Sequence, residues 1–401
     1  SSPPISASTC TGRTRRARRG GGGRVGTDGM LNLSRYRHTS WAITACASAI
    51  VALGLAFIYS ASLGMGEGAG SAYVARQAAW AAIGLAAAAL LAATDYRRLA
   101  SSAYLLYGAC ILVLVLLLAA SDARRGARSW FSIGSFAVQP SEFAKIALIM
   151  YMAYSLEKKS DKIRSLSYGF LPYMVVLAAM LLLILKQPDL GAALTLAGVA
   201  ILMLFAAGTR LVFILGTMLM AAPIVAFLVF HSAYRLRRIK AFMNPEQDPT
   251  GIGWQIIQSK YAFGAGGLFG QGLGEGKQKL FYLPEAHTDF ILSVVGEELG
   301  FLGVVVIIGM FFILVQRAMR IAMAARDPFG RFLALGIAVL FAIEASVNMG
   351  VVTGLLPTKG LALPFLSYGG SSLMISLLAV GILLNISSGL KLTPLTEGAA
   401  S

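Results

Sequence analysis

Charged side chains gather in the segment 283–290 (LPEAHTDF), at the start of an apolar run. Glu285, His287 and Asp289 fall on every second position of this segment. A carboxylate at the boundary between water and hydrocarbon can act as a general base on a sugar hydroxyl, or hold a divalent cation. An Asp or Thr at a helix start also serves as a cap that accepts backbone N–H groups. These residues alone leave both interpretations open.

A second charged pair opens another apolar run. The segment 139–142 (QPSE) is followed by Lys145, three residues after Glu142. This spacing puts the carboxylate and the ammonium on one face of a helix. A charge at membrane depth costs roughly 2.5–3.5 kcal/mol, so it tends to persist only with a partner or a function. The pair therefore predicts either an ion pair that ties helices together or a contact with substrate.

Four more polar residues fall inside apolar runs. Glu297 and Glu298 are adjacent, and Glu344 precedes Asn348 by four residues. Because an unpaired charge is costly there, we predict structural pairing for all of them.

Small residues open the last apolar run, within the segment 356–372 (LPTKGLALPFLSYGGSS). A helix N-terminus with free amides favours an anion, and a lysine adds positive charge. A pyrophosphate would suit this segment, although a plain helix cap would look similar. The candidate anion contacts are Lys359, Ser367, Gly369, Gly370 and Ser371.

The segment 264–276 (GAGGLFGQGLGEG) is rich in glycine. No G-x-G-x-x-G register fits it, and no strand–helix unit surrounds it, so it does not resemble a phosphate-binding loop. We predict a flexible loop and no nucleotide cofactor.

Composition identifies the elements that must position these residues. The chain of 401 residues is 57% hydrophobic and only 13% charged, whereas soluble domains carry roughly 25% charged residues. Much of the surface must therefore face lipid. The net charge of +16 is scattered over tail and loops, which indicates a membrane surface and no nucleic acid. Three cysteines at positions 10, 46 and 110 favour neither a disulfide framework nor a zinc site.

The pattern predicts an all-α integral membrane protein that crosses the bilayer about ten times. A long loop, 231–287, separates the seventh and eighth helices, and loops of this length are usually functional. The apolar runs lie near 41–63, 75–93, 102–120, 139–156, 168–186, 189–207, 210–230, 288–315, 331–352 and 368–388.

Lys and Arg are more frequent in the short loops on the side of the N-terminus, so both termini are expected in the cytoplasm and the loop 231–287 outside. Residues 1–39 are predicted to form a disordered basic tail, residues 40–390 the membrane domain, and residues 391–401 a cytoplasmic tail.

Taken in order, the motifs resemble the SEDS family of shape, elongation, division and sporulation proteins. The resemblance covers about residues 40–390. Segments 285–288 and 356–360 are closer to the family's division member than to its elongation member. The motifs are Trp130 with QPSE at 139–142, QPDLG at 187–191, the glycine stretch running into Gln278-Lys279, PEAHTDF at 284–290, and PFLSYGGSS at 364–372.

The resemblance implies a peptidoglycan glycosyltransferase that polymerises lipid II at the outer face of the cytoplasmic membrane during septal cell-wall synthesis. It makes Asp289 the catalytic carboxylate. Trp130, Glu142 and Lys145 match positions that the family needs for activity. The family's frequent arginine before the tryptophan is Ser129 here, with Arg128 one residue earlier. The remaining expected substrate contacts are Gln139 and His287.

The implied reaction is inverting: a base takes the proton of a sugar 4-hydroxyl while undecaprenyl pyrophosphate leaves. Either a divalent cation, Mg²⁺ or Mn²⁺, or basic side chains would offset the developing charge, and no motif names a metal. The expected partners are a class B penicillin-binding transpeptidase of FtsI type and other membrane proteins of the division machinery. A lipid II flippase and a non-catalytic division scaffold are the alternatives. The location implied is the inner membrane at the septum.

Overall fold

The computed structural model describes residues 25–66, 68–120, 130–133, 136–247, 251–280 and 283–389. Most of these residues are helical. The helices are α1 (Val25–Ser62), α2 (Ala69–Ala93), α3 (Arg97–Ala120), α4 (Pro140–Lys158), α5 (Leu171–Lys186), α6 (Leu190–Ala206), α7 (Leu211–Phe230), α8 (Ala233–Met243), α9 (Ile252–Gly266), α10 (Ile291–Ala324), α11 (Pro328–Val352) and α12 (Gly370–Gly389), and the strands of one hairpin are β1 (Phe131–Ile133) and β2 (Phe136–Val138).

Each of the ten predicted apolar runs coincides with a helix, namely α1 to α7 and α10 to α12. The predicted class, an all-α membrane protein, is confirmed. Among the described residues, eight helices are long and apolar enough to cross a bilayer. The other two runs are α6, which is shorter, and α4, which carries four charged residues. The count of ten crossings stays a prediction.

The helices α4, α11 and α12 form the centre of the bundle, with most of their side chains buried. Helix α12 packs along α2, α10 packs along both α1 and α11, and α3 packs along α4. In contrast, α7 buries only Ile214. An apolar helix that buries so little against the protein is suited to a lipid surface.

Glycines let α2 and α12 approach closely. A side chain at Gly84 would meet Leu377, and one at Gly381 would lie 2.5 Å from the carbonyl oxygen of Ala88. Small residues at such contacts allow two backbones in a membrane to pack by van der Waals contact. The start of α2 is thereby fixed beside the start of α12, where several of the predicted site residues lie.

Two predictions about the segments outside the apolar runs need correction. Helix α1 begins at Val25, so it includes part of the predicted tail 1–39, since no proline interrupts it; residues 1–24 and the predicted tail 391–401 lie outside the described residues. The long connection 231–287 contains α8 and α9. Ser232 starts α8, because its hydroxyl accepts the Arg235 N–H at 3.5 Å.

Candidate active site

A cavity of about 550 Å³ opens at one end of the bundle, where the starts of α2, α4, α6, α10 and α12 meet. Charged, aromatic and glycine residues line it. Eight of the residues predicted for the site face this cavity, although they come from three separate segments of the chain, 130–145, 287–289 and 369–370: Trp130, Gln139, Glu142, Lys145, His287, Asp289, Gly369 and Gly370.

Asp289 lies two residues before α10. The Asn348 side-chain amide donates to the Asp289 carbonyl oxygen at 2.9 Å and to the Leu361 carbonyl oxygen at 2.8 Å. This bridge ties the acid's backbone to α11 and to the loop after it. Gly360 in that loop lies beside the acid, since a side chain there would begin 3.5 Å from the carboxylate, an ordinary van der Waals contact. The structural pairing predicted for Asn348 is confirmed, because its amide joins two backbone carbonyls.

Burial and the charge of Glu285 raise the pKa of Asp289 to about 7, against a smaller lowering effect from the Arg238 guanidinium. Removing a carboxylate from water disfavours its charged form, and a neighbouring negative charge disfavours it further. A carboxyl group with a pKa near the working pH can both take up and release a proton, which suits a general base.

His287 is almost fully buried between two tyrosines. Its ring centroid lies 4.9 Å from that of Tyr73 and 5.7 Å from that of Tyr368. The Tyr368 N–H also donates to the His287 carbonyl oxygen at 2.9 Å. Burial lowers the pKa of His287, so the imidazole is neutral at pH 7 and can hydrogen-bond a neutral sugar hydroxyl.

Lys145 lies between two carboxylates. Its ammonium is 2.7 Å from Glu142 on the same helix, and it also forms an ion pair with Glu344 of α11. All three side chains are buried. The prediction of structural pairing is confirmed for Glu344, and the ion pair ties α4 to α11. Lys145 and Glu142 also line the cavity, and their contact with substrate stays a prediction.

The β1–β2 hairpin brings two site residues side by side. Phe131 pairs with Val138, so Trp130 and Gln139 lie next to each other at the open end. The Gln139 side chain donates to the Asp189 carboxylate at 3.2 Å. The same Asp189 caps α6 by accepting the Ala192 N–H at 2.9 Å, and burial raises its pKa. The predicted contact Arg128 lies outside the described residues.

The structure corrects the prediction for two serines. Ser367 accepts the Leu363 N–H on its hydroxyl at 2.9 Å, and Ser371 accepts the Gln139 N–H at 3.0 Å. Both are buried and neither lines the cavity. Their hydroxyl groups satisfy backbone groups of the surrounding loops, so they shape the site without facing it. The Gly369 N–H is occupied in the same way, by the Gln77 side chain at 3.2 Å.

Lys359 faces a second chamber of about 420 Å³, together with Arg235 and Arg238. The two chambers share Trp130, Gln139, Asp189 and Gly360 as a common wall. Burial lowers the pKa of Lys359. Arg238 donates to the Thr358 carbonyl oxygen at 2.9 Å, which holds α8 against this chamber.

Helix α2 supplies site residues that the motifs did not reveal. Tyr73, Arg76 and Trp80 line the first chamber, and the Arg76 guanidinium lies close enough to the Tyr368 hydroxyl to oppose the effect of burial, which raises the pKa of Tyr368. Their spacing of three and four residues places them on one face of a helix. The sequence did contain a signal for these site residues, namely a polar and aromatic stripe on an otherwise alanine-rich helix.

In the described part of the chain, no group of three or more His, Cys, Asp or Glu side chains is arranged to hold a metal ion. Among the acids that line the cavity, Glu142 pairs with lysine, Asp189 accepts a backbone N–H group and Glu285 accepts the Thr288 hydroxyl. These donors do not fit a protein-bound metal. The predicted divalent cation stays a prediction, and the steps below use side chains only.

The sequence profile of the FtsW, RodA and SpoVE cell cycle proteins matches residues 40–392. The chain belongs to this family. It is 69% identical over 353 residues to a probable peptidoglycan glycosyltransferase FtsW of Trichlorobacter lovleyi, covering 87% of this chain and 93% of that relative. It is 43% identical to stage V sporulation protein E of Bacillus subtilis, over 84% of this chain and 94% of that one.

Solved structures of the FtsW, RodA and SpoVE family share the fold. A chain from a structure on the coordination of polymerization and crosslinking by a peptidoglycan synthase complex aligns with a TM-score of 0.74 at 30% identity, over 88% of this chain and 98% of that chain. The rod shape determining protein RodA of Thermus thermophilus aligns with a TM-score of 0.66 at 30% identity, over 87% of this chain and 96% of that chain.

The pairing of Lys145 predicts how its loss affects stability. Lys145→Met leaves the carboxylates of Glu142 and Glu344 without their cation, and we expect unfolding in detergent to become easier by about 3–5 kcal/mol. Combining it with Glu142→Gln and Glu344→Gln should restore most of the thermal midpoint. The midpoint can be followed by tryptophan fluorescence. A Lys145→Met protein as stable as the wild type would contradict the pairing.

Proposed function

We propose that this protein is a peptidoglycan glycosyltransferase that joins lipid II units into glycan strands at the outer face of the cytoplasmic membrane during septal cell-wall synthesis. The observation that carries the proposal is the position of Asp289, a carboxyl group with a raised pKa in a polar cavity at one end of a membrane bundle. The names of its relatives support the same activity.

An apolar groove beside the cavity supports a lipid-linked substrate. It has a volume of about 510 Å³, runs between α2, α3, α4 and α12, and reaches the hairpin at Val138 and Pro140. These two residues flank Gln139, which lines the polar cavity. A polyprenyl chain could therefore lie in the groove while its sugar–pyrophosphate head enters the polar chamber.

The reaction proposed for this site is an inverting sugar transfer. Ionised Asp289 takes the proton from the 4-hydroxyl of the acceptor sugar as that oxygen attacks the anomeric carbon of the donor. The bond from this carbon to the pyrophosphate oxygen breaks, and undecaprenyl pyrophosphate leaves with the electron pair. Arg76, Lys359 and Arg238 line the two chambers and would offset the charge that grows on pyrophosphate.

The distribution of charge indicates which face of the membrane holds the site. The opposite end of the bundle carries Arg97, Arg98, Lys158, Lys159 and Lys162, and cytoplasmic loops are enriched in Lys and Arg. The cavity then opens on the outer face, where the glycan strand is needed.

The proposed base predicts a pH profile for polymerisation. Asp289 acts when ionised, so its contribution is present above its pKa and is lost as the pH falls through about 7. Glu285→Gln removes a charge that raises this pKa, and should move the acidic limb of the pH–rate profile to lower pH. Arg238→Gln removes a charge that lowers it, and should move the limb to higher pH. The test is to measure polymerisation rates across pH for the wild type and the two variants. If the acidic limb had the same midpoint pH in all three proteins, the assigned effects of Glu285 and Arg238 would be contradicted.

Substitution of Asp289 tests the function itself. Asp289→Asn keeps the shape of the side chain but cannot take a proton, and we expect at least about a hundredfold loss of glycan formation from labelled lipid II. Asp161→Asn, an exposed change in the connection between α4 and α5, serves as the control. A flippase or a scaffold does not need this carboxylate, so wild-type polymer from Asp289→Asn would overturn the proposal.

We further propose that the chain works with a class B penicillin-binding transpeptidase of FtsI type and with other membrane proteins of the division machinery. The solved peptidoglycan synthase complex, which coordinates polymerization and crosslinking, supports a partner of this kind. Co-purification from native membranes should recover the transpeptidase, and adding it should raise the polymerisation rate. Full activity of the isolated chain, with no transpeptidase recovered, would contradict this part of the proposal.

A further inference from the structure

Helix α10 is broken at Gly300, where φ is 67°. A break leaves backbone N–H and C=O groups without helical partners, and hydrocarbon offers them no water. The segment 266–279, which we call the glycine clasp, supplies the partners. Its bonds to α10 run from Gln271 N–H to the Glu297 carbonyl (3.0 Å), from Gly272 N–H to the Glu298 carbonyl (3.1 Å), from Phe301 N–H to the Gly267 carbonyl (2.8 Å) and from Leu302 N–H to the Leu268 carbonyl (3.2 Å).

Glycine is required where the two backbones meet. A side chain at Gly266 would collide with the carbonyl of Gly296, and one at Gly270 with the carbonyl of Glu298. Gly270 and Gly300 also adopt φ of 82° and 67°, a region that disfavours other residues. The prediction of a flexible loop for 264–276 is therefore wrong, because these glycines allow backbone contact with α10.

The two glutamates of α10 hold the rest of the glycine clasp. Glu298 forms an ion pair with Lys279 at 2.8 Å and accepts the Gly274 N–H at 2.9 Å. The Ser60 hydroxyl at the end of α1 donates to the same carboxylate at 2.5 Å. Glu297 accepts the Lys277 N–H at 2.7 Å. Both glutamates are about 1% exposed, so each carboxylate takes its hydrogen bonds from inside the protein.

The ion pair between Lys279 and Glu298 closes a loop of the chain that contains Asp289. Lys279 precedes Asp289 and Glu298 follows it, and the two paired residues are 19 apart in sequence. The first turns of α10 connect Asp289 rigidly to Glu297. On the N-terminal side of Asp289, the Leu283 N–H donates to the Gln278 carbonyl oxygen at 2.9 Å. This hydrogen bond joins the end of the clasp to the segment that carries Asp289.

We propose that the glycine clasp sets the position of the proposed base, and that Glu297 and Glu298 are positioning residues for Asp289. This rests on the proposed function, since positioning matters only where Asp289 performs the proton transfer. The clasp reaches Asp289 from both chain directions, and neither glutamate lines the cavity. A displacement of about 1 Å at a reacting group can reduce a rate about a hundredfold.

Alanine substitutions at glycines test whether the glycine clasp positions Asp289. Gly300→Ala and Gly270→Ala should break the contact between the clasp and α10. As controls, an alanine methyl group at Gly309 of α10 or at Gly264 of α9 would meet nothing within 4 Å. Glu298→Gln is a second, milder change that removes the ion pair and the acceptor of the Ser60 hydroxyl but keeps an acceptor for the Gly274 N–H. The double variant Glu298→Gln with Lys279→Met also removes the lysine charge, which the single change leaves without a counterion.

Hydrogen exchange in lipid nanodiscs gives a readout that does not depend on activity. Peptides covering 283–290 should exchange at least about tenfold faster in Gly300→Ala, Gly270→Ala and Glu298→Gln than in the wild type, because their anchor is loosened. The double variant should recover part of the protection, and the two control glycine variants should match the wild type.

Polymerisation of lipid II per folded molecule is the second readout. We expect kcat to fall about ten- to a hundredfold in the three clasp variants with KM nearly unchanged, and no loss in the controls. Normal exchange in 283–290 together with normal kcat in folded Glu298→Gln would overturn the proposal, as would faster exchange with unchanged kcat. A wild type that makes no polymer would defeat the proposed function, while the exchange data would still report whether the clasp holds this segment.

Discussion

Polar groups at membrane depth must find partners inside the protein, because hydrocarbon offers neither hydrogen bonds nor counterions. Two places in this bundle show the consequence. Lys145 binds carboxylates from α4 and α11, and the broken helix α10 binds the glycine clasp through its backbone and through two glutamates. Each arrangement joins distant parts of the chain, and the candidate active site lies between them.

The same constraint explains the electrostatics of the site. Asp289 has no ion pair among the described residues, so burial raises its pKa. Of the acids buried inside the bundle, Glu142, Glu298 and Glu344 each have a lysine, and Glu297 has backbone amides. The fold therefore separates acids that are held in place by hydrogen bonds and ion pairs from one whose proton can be exchanged. Such a difference between neighbouring carboxyl groups is typical of acid–base sites.

Loops at one end of the bundle, each fixed by hydrogen bonds, combine to form the site. Asn348 joins the loop after α11 to Asp289, Ser371 joins α12 to the hairpin, and Gln77 joins α2 to the turn before α12. Most of these bonds run from a side chain to backbone, so they set the path of the loops.

The sequence by itself determined the membrane class, the ten helical runs and the family, because long apolar stretches and separated motifs are properties of local sequence. It also identified Asp289, Glu142 and Lys145, since charged residues are conspicuous beside apolar ones. Only the tertiary structure decided which partner each charge has. Glu344 reaches Lys145 across 199 residues and Ser60 reaches Glu298 across 238 residues, and no spacing rule connects such positions. The glycine clasp shows the same limit. Glycine is typical of flexible loops and also of close backbone contact, and only the broken helix opposite determines which of the two applies.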